Sequence, residues 1–98
     1  MAGVGINDNL QAGNTLLQNI PNPCNSSTTI RFSLIHGGFI TLKLYDVSGK
    51  EVRTVINGNL NAGIQQVSVP VSALDAGIYY YTLQSQDGKS TRKMVVVK

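Results

Sequence analysis

Apolar and polar residues alternate with a period of two along most of this chain. Ile30, Phe32 and Leu34 alternate with Arg31 and Ser33, the pattern of a strand with one buried face. Ile40, Leu42 and Leu44 alternate with Thr41 and Lys43 in a second such run, which ends near Val47. Between them His36-Gly37-Gly38 reads as a turn, and Ser48-Gly49 closes the second run as a tight hairpin. Val52 and Val55 mark a more polar strand suited to a sheet edge. Residues 57–63, with two glycines and three asparagines, read as a turn-rich loop. Val67 and Val69 mark the next strand, closed by Pro70. Residues 72–77 read as a crossing loop with Leu74 as its apolar plug. Residues 78–84 form a further strand, and Asp87-Gly88 is a strong hairpin signal before a last strand over residues 90–97.

Ahead of this region the pattern changes. Residues 1–14 read as a flexible linker, punctuated by Gly3, Gly5, Gly13 and the run Asn7-Asp8-Asn9. Residues 15–20 form a short apolar segment stopped by Pro21. Pro21-Asn22-Pro23 forbids both a helix and a central strand position. No window sustains helical periodicity. Short strands with turn signals every 8–12 residues predict an all-β, seven-stranded immunoglobulin-like or fibronectin-like β-sandwich over residues 15–98. The paired cysteines and tryptophan of true immunoglobulin domains are absent, so a small open barrel is the alternative architecture.

Two strands depart from plain alternation. Tyr79, Tyr80 and Tyr81 are three of the four tyrosines. Period two puts Tyr79, Tyr81 and Leu83 on one face and Ile78 and Tyr80 on the other, so Tyr79 and Tyr81 are expected in the core and Tyr80 outside it. The last strand ends on Lys93-Met94-Val95-Val96-Val97-Lys98, apolar at both parities. Such a strand is either covered on both faces or offers a face or an edge to a partner.

Composition removes several functions. The chain has 98 residues, one domain's worth, with 42% hydrophobic and only 13% charged residues. Its net charge of +3 is weakly basic. Arg31, Lys43, Lys50 and Arg53 are scattered, and Lys89, Arg92, Lys93 and Lys98 flank the last strand, which is no nucleic-acid footprint. One cysteine, Cys24, excludes an internal disulfide and a multi-cysteine zinc site. The acidic residues and His36 fall mostly in turns, where Asp and His are common for backbone reasons. No nucleophile elbow, phosphate loop or cation-ligand set appears, so no enzyme and no metal or cofactor is expected. An enzyme would need His36 beside a carboxylate, or Cys24 in a cleft. No apolar run approaches the length of a membrane span. Residues 1–11 lack the basic start and apolar stretch of a secretory leader, so a leader is expected on a longer parent chain.

Four blocks of sequence, in order, carry a resemblance. They are Ile20-Pro21-Asn22-Pro23 with Ser27-Thr28-Thr29-Ile30-Arg31-Phe32-Ser33-Leu34; the hairpin Leu42-Lys43-Leu44-Tyr45-Asp46-Val47-Ser48-Gly49-Lys50-Glu51-Val52; Ala76-Gly77-Ile78-Tyr79-Tyr80-Tyr81-Thr82-Leu83; and the terminal Lys93 to Lys98 block. Together they resemble the C-terminal sorting domain of the type IX secretion system (type A) of Bacteroidetes-type bacteria. Cys24 stands where the family commonly has phenylalanine, and a proline often found near Ser26 is missing. Both departures concern local loop packing.

The resemblance implies a cargo address. Such a domain directs a larger protein from the periplasm through the outer membrane to the cell surface or medium. The outer-membrane translocon and shuttle proteins recognise it, and a sortase commonly removes it. The implied recognition element is Lys93, Met94, Val95, Val96, Val97 and Lys98. Gly77 and Tyr79 are expected to serve the fold, as are Asp46 and Gly49 in the hairpin motif. Pro21, Asn22 and Pro23 are expected to fix the way into the first strand, and cleavage is expected before Leu16. A weak homodimer through an exposed apolar edge strand is also expected. The rival from another class is a carbohydrate-binding or adhesive sandwich module. It requires a row of exposed aromatic residues.

Overall fold

Each run of alternation becomes a strand with its apolar parity turned inward. A computed structural model describes residues 14–98, so the expected linker lies, apart from Asn14, outside the described residues. The strands are β1 (Thr15–Leu16), β2 (Ser27–Leu34), β3 (Gly38–Asp46), β4 (Glu51–Leu60), β5 (Gly63–Pro70), β6 (Gly77–Ser85) and β7 (Gly88–Val96). They form two antiparallel sheets, one ordered β1-β2-β5 and the other β4-β3-β6-β7. Thr28, Ile30, Phe32 and Leu34 of β2 face Ile40, Leu42 and Leu44 of β3, together with Tyr79, Tyr81 and Leu83 of β6 and Met94 and Val96 of β7. This is the predicted sandwich. Tyr79 and Tyr81 are buried, Tyr80 is exposed, and Leu74 packs against the core from the crossing loop.

Of the loop expected over residues 57–63, only Asn61 and Ala62 form a turn. β4 continues through Asn57, Gly58, Asn59 and Leu60, which pair with Thr41, Ile40, Phe39 and Gly38 of β3. The backbone partners that β3 supplies outweigh the turn preference of asparagine and glycine. Register shifts between Leu42 and Lys43 and between Leu44 and Tyr45 leave Val55 and Val52 outside the pairing as bulges. The bulges explain the spacing of three between Val52 and Val55, both of which still pack on the core.

The predicted first strand, residues 15–20, is shorter as a ladder and longer in reach. Only Thr15–Leu16 forms a strand, and Ile20 makes an isolated bridge to Thr29. The chain then turns at Pro21-Asn22-Pro23, where both X-Pro peptides are cis, and crosses to the other sheet. There Cys24 makes a parallel bridge to Val96 of β7. One segment thus lies along β2 and then along β7. Buried polar groups at the crossing are paired: Asn19 Nδ2 donates to Pro21 O (3.0 Å) and to Thr28 Oγ1 (3.0 Å), and Thr28 Oγ1 donates to Pro21 O (2.9 Å).

Candidate functional site

The terminal strand is placed by β6. Tyr79 pairs with Met94, Ile78 with Val95 and Gly77 with Val96. Gly77 has φ of +154°, a backbone state that side chains disfavour, and it starts β6 directly against the end of β7. The Tyr79 hydroxyl donates to Asp75 O (2.7 Å), fixing the crossing loop beneath the strand. Asp46 in turn pairs with Tyr79. The structure therefore brings Asp46, Gly77 and Tyr79 into register with the terminal block, while Gly49 stays at the tip of the β3–β4 hairpin. There Asp46 Oδ1 accepts from Ser48 Oγ (2.6 Å), Ser48 N (2.9 Å) and Lys50 N (3.1 Å). The Ser48 hydroxyl bond, followed by the Lys50 backbone bond, holds the Asp46 carboxyl below its usual range. Gly49, with φ of +87°, completes the turn by donating to Asp46 O (3.0 Å).

Both faces and both edges of the terminal strand can now be assigned. Met94 and Val96 point into the core and are 0% and 1% exposed. One edge is hydrogen-bonded to β6. The other meets residues 16–24. Gln18 Nε2 donates to Lys93 O (2.6 Å), and Val95 N donates to Asn22 Oδ1 (2.9 Å). Cys24 N donates to Val95 O (3.0 Å), and Val97 N donates to Cys24 O (2.9 Å). Higher on the same seam Arg92 Nε donates to Leu16 O (2.9 Å), and the buried Tyr81 hydroxyl donates to Leu17 O (2.7 Å). Pro21, Asn22, Pro23 and Cys24 thus form a clip over the end of β7. The apolar edge expected to be exposed is covered, from Lys93 to Val97, by the chain itself.

What remains outward is one face. Lys93, Val97 and Lys98 are exposed and Val95 is half-buried. Across the sheet Lys93 sits opposite Tyr80, Tyr80 opposite Tyr45, and Tyr45 opposite Glu51. Ile78, opposite Val95, is 41% exposed and Tyr80 is 38% exposed. Alternation alone placed Tyr80 outside. The row it makes with Tyr45 and Lys93 depends on register, which one-dimensional alternation does not carry.

The remaining reactive groups are dispersed. His36 does lie beside a carboxylate: its Nδ1 is 3.1 Å from Asp87 Oδ2. The pair ties the β2–β3 turn to the β6–β7 turn, and the His36 side chain is 61% exposed, on the surface rather than in a cleft. Cys24 is buried in the clip, with its Sγ 3.4 Å from Val95 O, and burial pushes its thiol up. Among the described residues no group of three His, Cys, Asp or Glu side chains could hold a metal ion. Among them, too, no helix is long and apolar enough to cross a membrane.

No curated protein matches the chain at a significant level. Among solved structures it is similar to the Ig1 domain of mouse SynCAM 2, at 14% identity and a TM-score of 0.43, covering 78% of this chain and 88% of that one. Residues 19–97 match the family described as the secretion system C-terminal sorting domain. The match begins just before the clip and runs through the terminal strand. The chain belongs to the family of C-terminal sorting domains of the type IX secretion system.

Proposed function

We propose that this domain is the address by which a larger protein reaches the cell surface or the medium, and that the block of residues 93–98 is recognised through the side chains it turns outward, with the buried Met94 and Val96 only anchoring it in the core. The family is one of sorting signals and not of enzymes. Membership implies contact with the type IX machinery and attachment to an upstream cargo. In the fuller reading the cargo waits in the periplasm, and the translocon with its shuttle protein engages the terminal block. A sortase then cuts the linker before Leu16. One observation supports the terminal block as the address. It is hydrogen-bonded along both edges and packed into the core by Met94 and Val96, while Lys93, Val95 and Val97 stay turned outward.

The test is export of a periplasmic reporter carrying the whole 98-residue chain at its C-terminus, in a bacterium with a type IX system. The reporter should reach the surface or medium, and should stay in the periplasm in a strain lacking the translocon. Retention of a folded, protease-resistant fusion in the competent strain would remove the sorting reading for this chain.

A second reading has one observation in its favour. Tyr80 is not isolated, because Tyr45 lies directly opposite it on the outer face. A retained fusion that bound polysaccharide, and lost binding on Tyr80→Ser, would bring the carbohydrate-binding module forward. The expected weak homodimer would use β4 or β5, the outer strands of the two sheets that the clip does not touch.

A further inference from the structure

Proteins that recognise a terminal strand commonly do so by strand addition, pairing with an open row of N–H and C=O groups. That route requires an open edge. Here Lys93 O, Val95 N, Val95 O and Val97 N all have partners within the chain. A visiting strand would have to displace residues 22–24. It would break the bonds at Val95 and Val97 and expose Cys24, which is 2% exposed, next to the buried Asn19–Thr28 pair.

We infer that the sorting partner reads the outer face of the four-stranded sheet, through Tyr45, Ile78, Tyr80, Lys93 and Val95, with the clip closed. The inference rests on the sorting reading and specifies where on the domain it operates. Three observations carry it. The edge is already used. The face beside it presents Ile78 and Tyr80 to solvent, and tyrosine gives much contact area for little lost conformational freedom. The charges are one-sided at this end of the face. Lys93 has no carboxylate in ion-pair range among the described residues, while Lys98 has the parity of Met94 and Val96 and its Nζ reaches back to Ser72 O (2.9 Å) in the crossing loop. The one acid in the row, Glu51, is engaged by Lys43 (3.5 Å) and by Thr54 (2.6 Å). The complementary partner is a protein surface with an apolar recess for Ile78 and Tyr80 and a carboxylate placed for Lys93.

The experiment uses the same reporter fused to the full chain, with three kinds of variant. Val96→Cys sets a thiol opposite native Cys24 across the bridge, so that oxidation in the periplasm locks the clip, read by loss of thiol alkylation. Tyr80→Ser with Val95→Thr strips the face. Lys93→Glu reverses its charge, with Lys93→Arg as the conservative control. Thermal melts by circular dichroism confirm that each folds. The locked protein should be exported within about twofold of the parent. The stripped and charge-reversed proteins should fall at least about tenfold, a loss matching one charged or aromatic anchor, and Lys93→Arg should export normally. Loss of export on locking, regained when Cys24→Ser is added to Val96→Cys, would overturn the inference and show that the edge is read. Normal export of the stripped and charge-reversed proteins would overturn it as well. In both cases the unmodified fusion is still exported and the sorting reading stands. Failure of the unmodified fusion is the separate outcome that removes both.

Discussion

The four-stranded sheet has two outer strands, and the chain treats them differently. β4 is polar, carries bulges at Val52 and Val55, and turns its outer edge away from β3 with no strand beside it among the described residues. β7 ends in an apolar block whose outer edge is hydrogen-bonded to a segment more than 70 residues earlier in sequence. Bulges and polar side chains are one way to stop an edge from recruiting other chains, and covering the edge is another. The difference teaches what each strand can offer. β4 keeps an edge and little apolar surface. β7 gives up its edge at the terminal block and keeps a rigid, side-chain-bearing face.

The largest effect should separate the two strands by stability. Met94 is 0% exposed and packs into the core, so Met94→Ala should cost roughly 2–5 kcal/mol. Val52 is half-buried at a bulge, so Val52→Ala should cost less than about 1 kcal/mol. Urea unfolding of both variants measures this, and equal shifts in midpoint would end the contrast. Next comes alkaline pH. Burial pushes the Tyr81 hydroxyl up to about 12, while the unfolded chain titrates near the ordinary value of about 10. The pKa is raised on folding, so the stabilisation is complete below about pH 10 and is lost as pH rises through about 12. The loss amounts to roughly 2–3 kcal/mol. Because Tyr81 holds Leu17, amide exchange should rise first along the clip and not along β4. In Tyr81→Phe the alkaline slope should shrink to what the buried Tyr79 hydroxyl and Cys24 thiol, both also pushed up by burial, contribute, at a constant cost of about 1 kcal/mol for the lost hydrogen bond.

Legibility in the sequence follows the range of the interaction. Strand positions and the inward set Ile30, Phe32, Leu34, Tyr79 and Tyr81 could be read because alternation is local, and Asp46, Ser48 and Gly49 because a hairpin turn is local. Residues 57–60 defy the turn signal of their asparagines and glycine because the partner that straightens them, Gly38 to Thr41, lies across a hairpin whose two bulges conceal the period. The clip could not be read at all. Pro21-Asn22-Pro23 rules out a helix and a central strand position, but nothing local says that Asn22 and Cys24 meet Val95 and Val96. The burial of Cys24 against β7 is likewise a tertiary fact. Sequence therefore located the terminal block but not which of its sides is open. The His36–Asp87 contact escaped for the same reason, since its members occupy separate turns brought to one end of the sandwich.

The smallest effect on stability is the most direct test of what the clip does. Asn22 is exposed, and its side-chain oxygen is the acceptor for Val95 N. Asn22→Ala removes that acceptor and leaves the core untouched, so the cost should be about 1 kcal/mol, that of one hydrogen bond near solvent. The consequence for association should be larger than the consequence for folding. With Val95 N unpaired and Cys24 less firmly held, the end of β7 becomes an open apolar edge beside Val97, the kind of edge that pairs with a second copy. Sedimentation velocity over a concentration series should show Asn22→Ala dimerising at lower concentration than the parent. A matched change on the other outer strand, Asn57→Ala on β4, should leave the association constant unchanged, because among the described residues no clip covers β4 to be released. If both variants associate like the parent, the hydrogen bonds at residues 22–24 are not what keeps the terminal strand from pairing. The guarding role then passes to Lys89 and Lys93, whose charges flank the same edge.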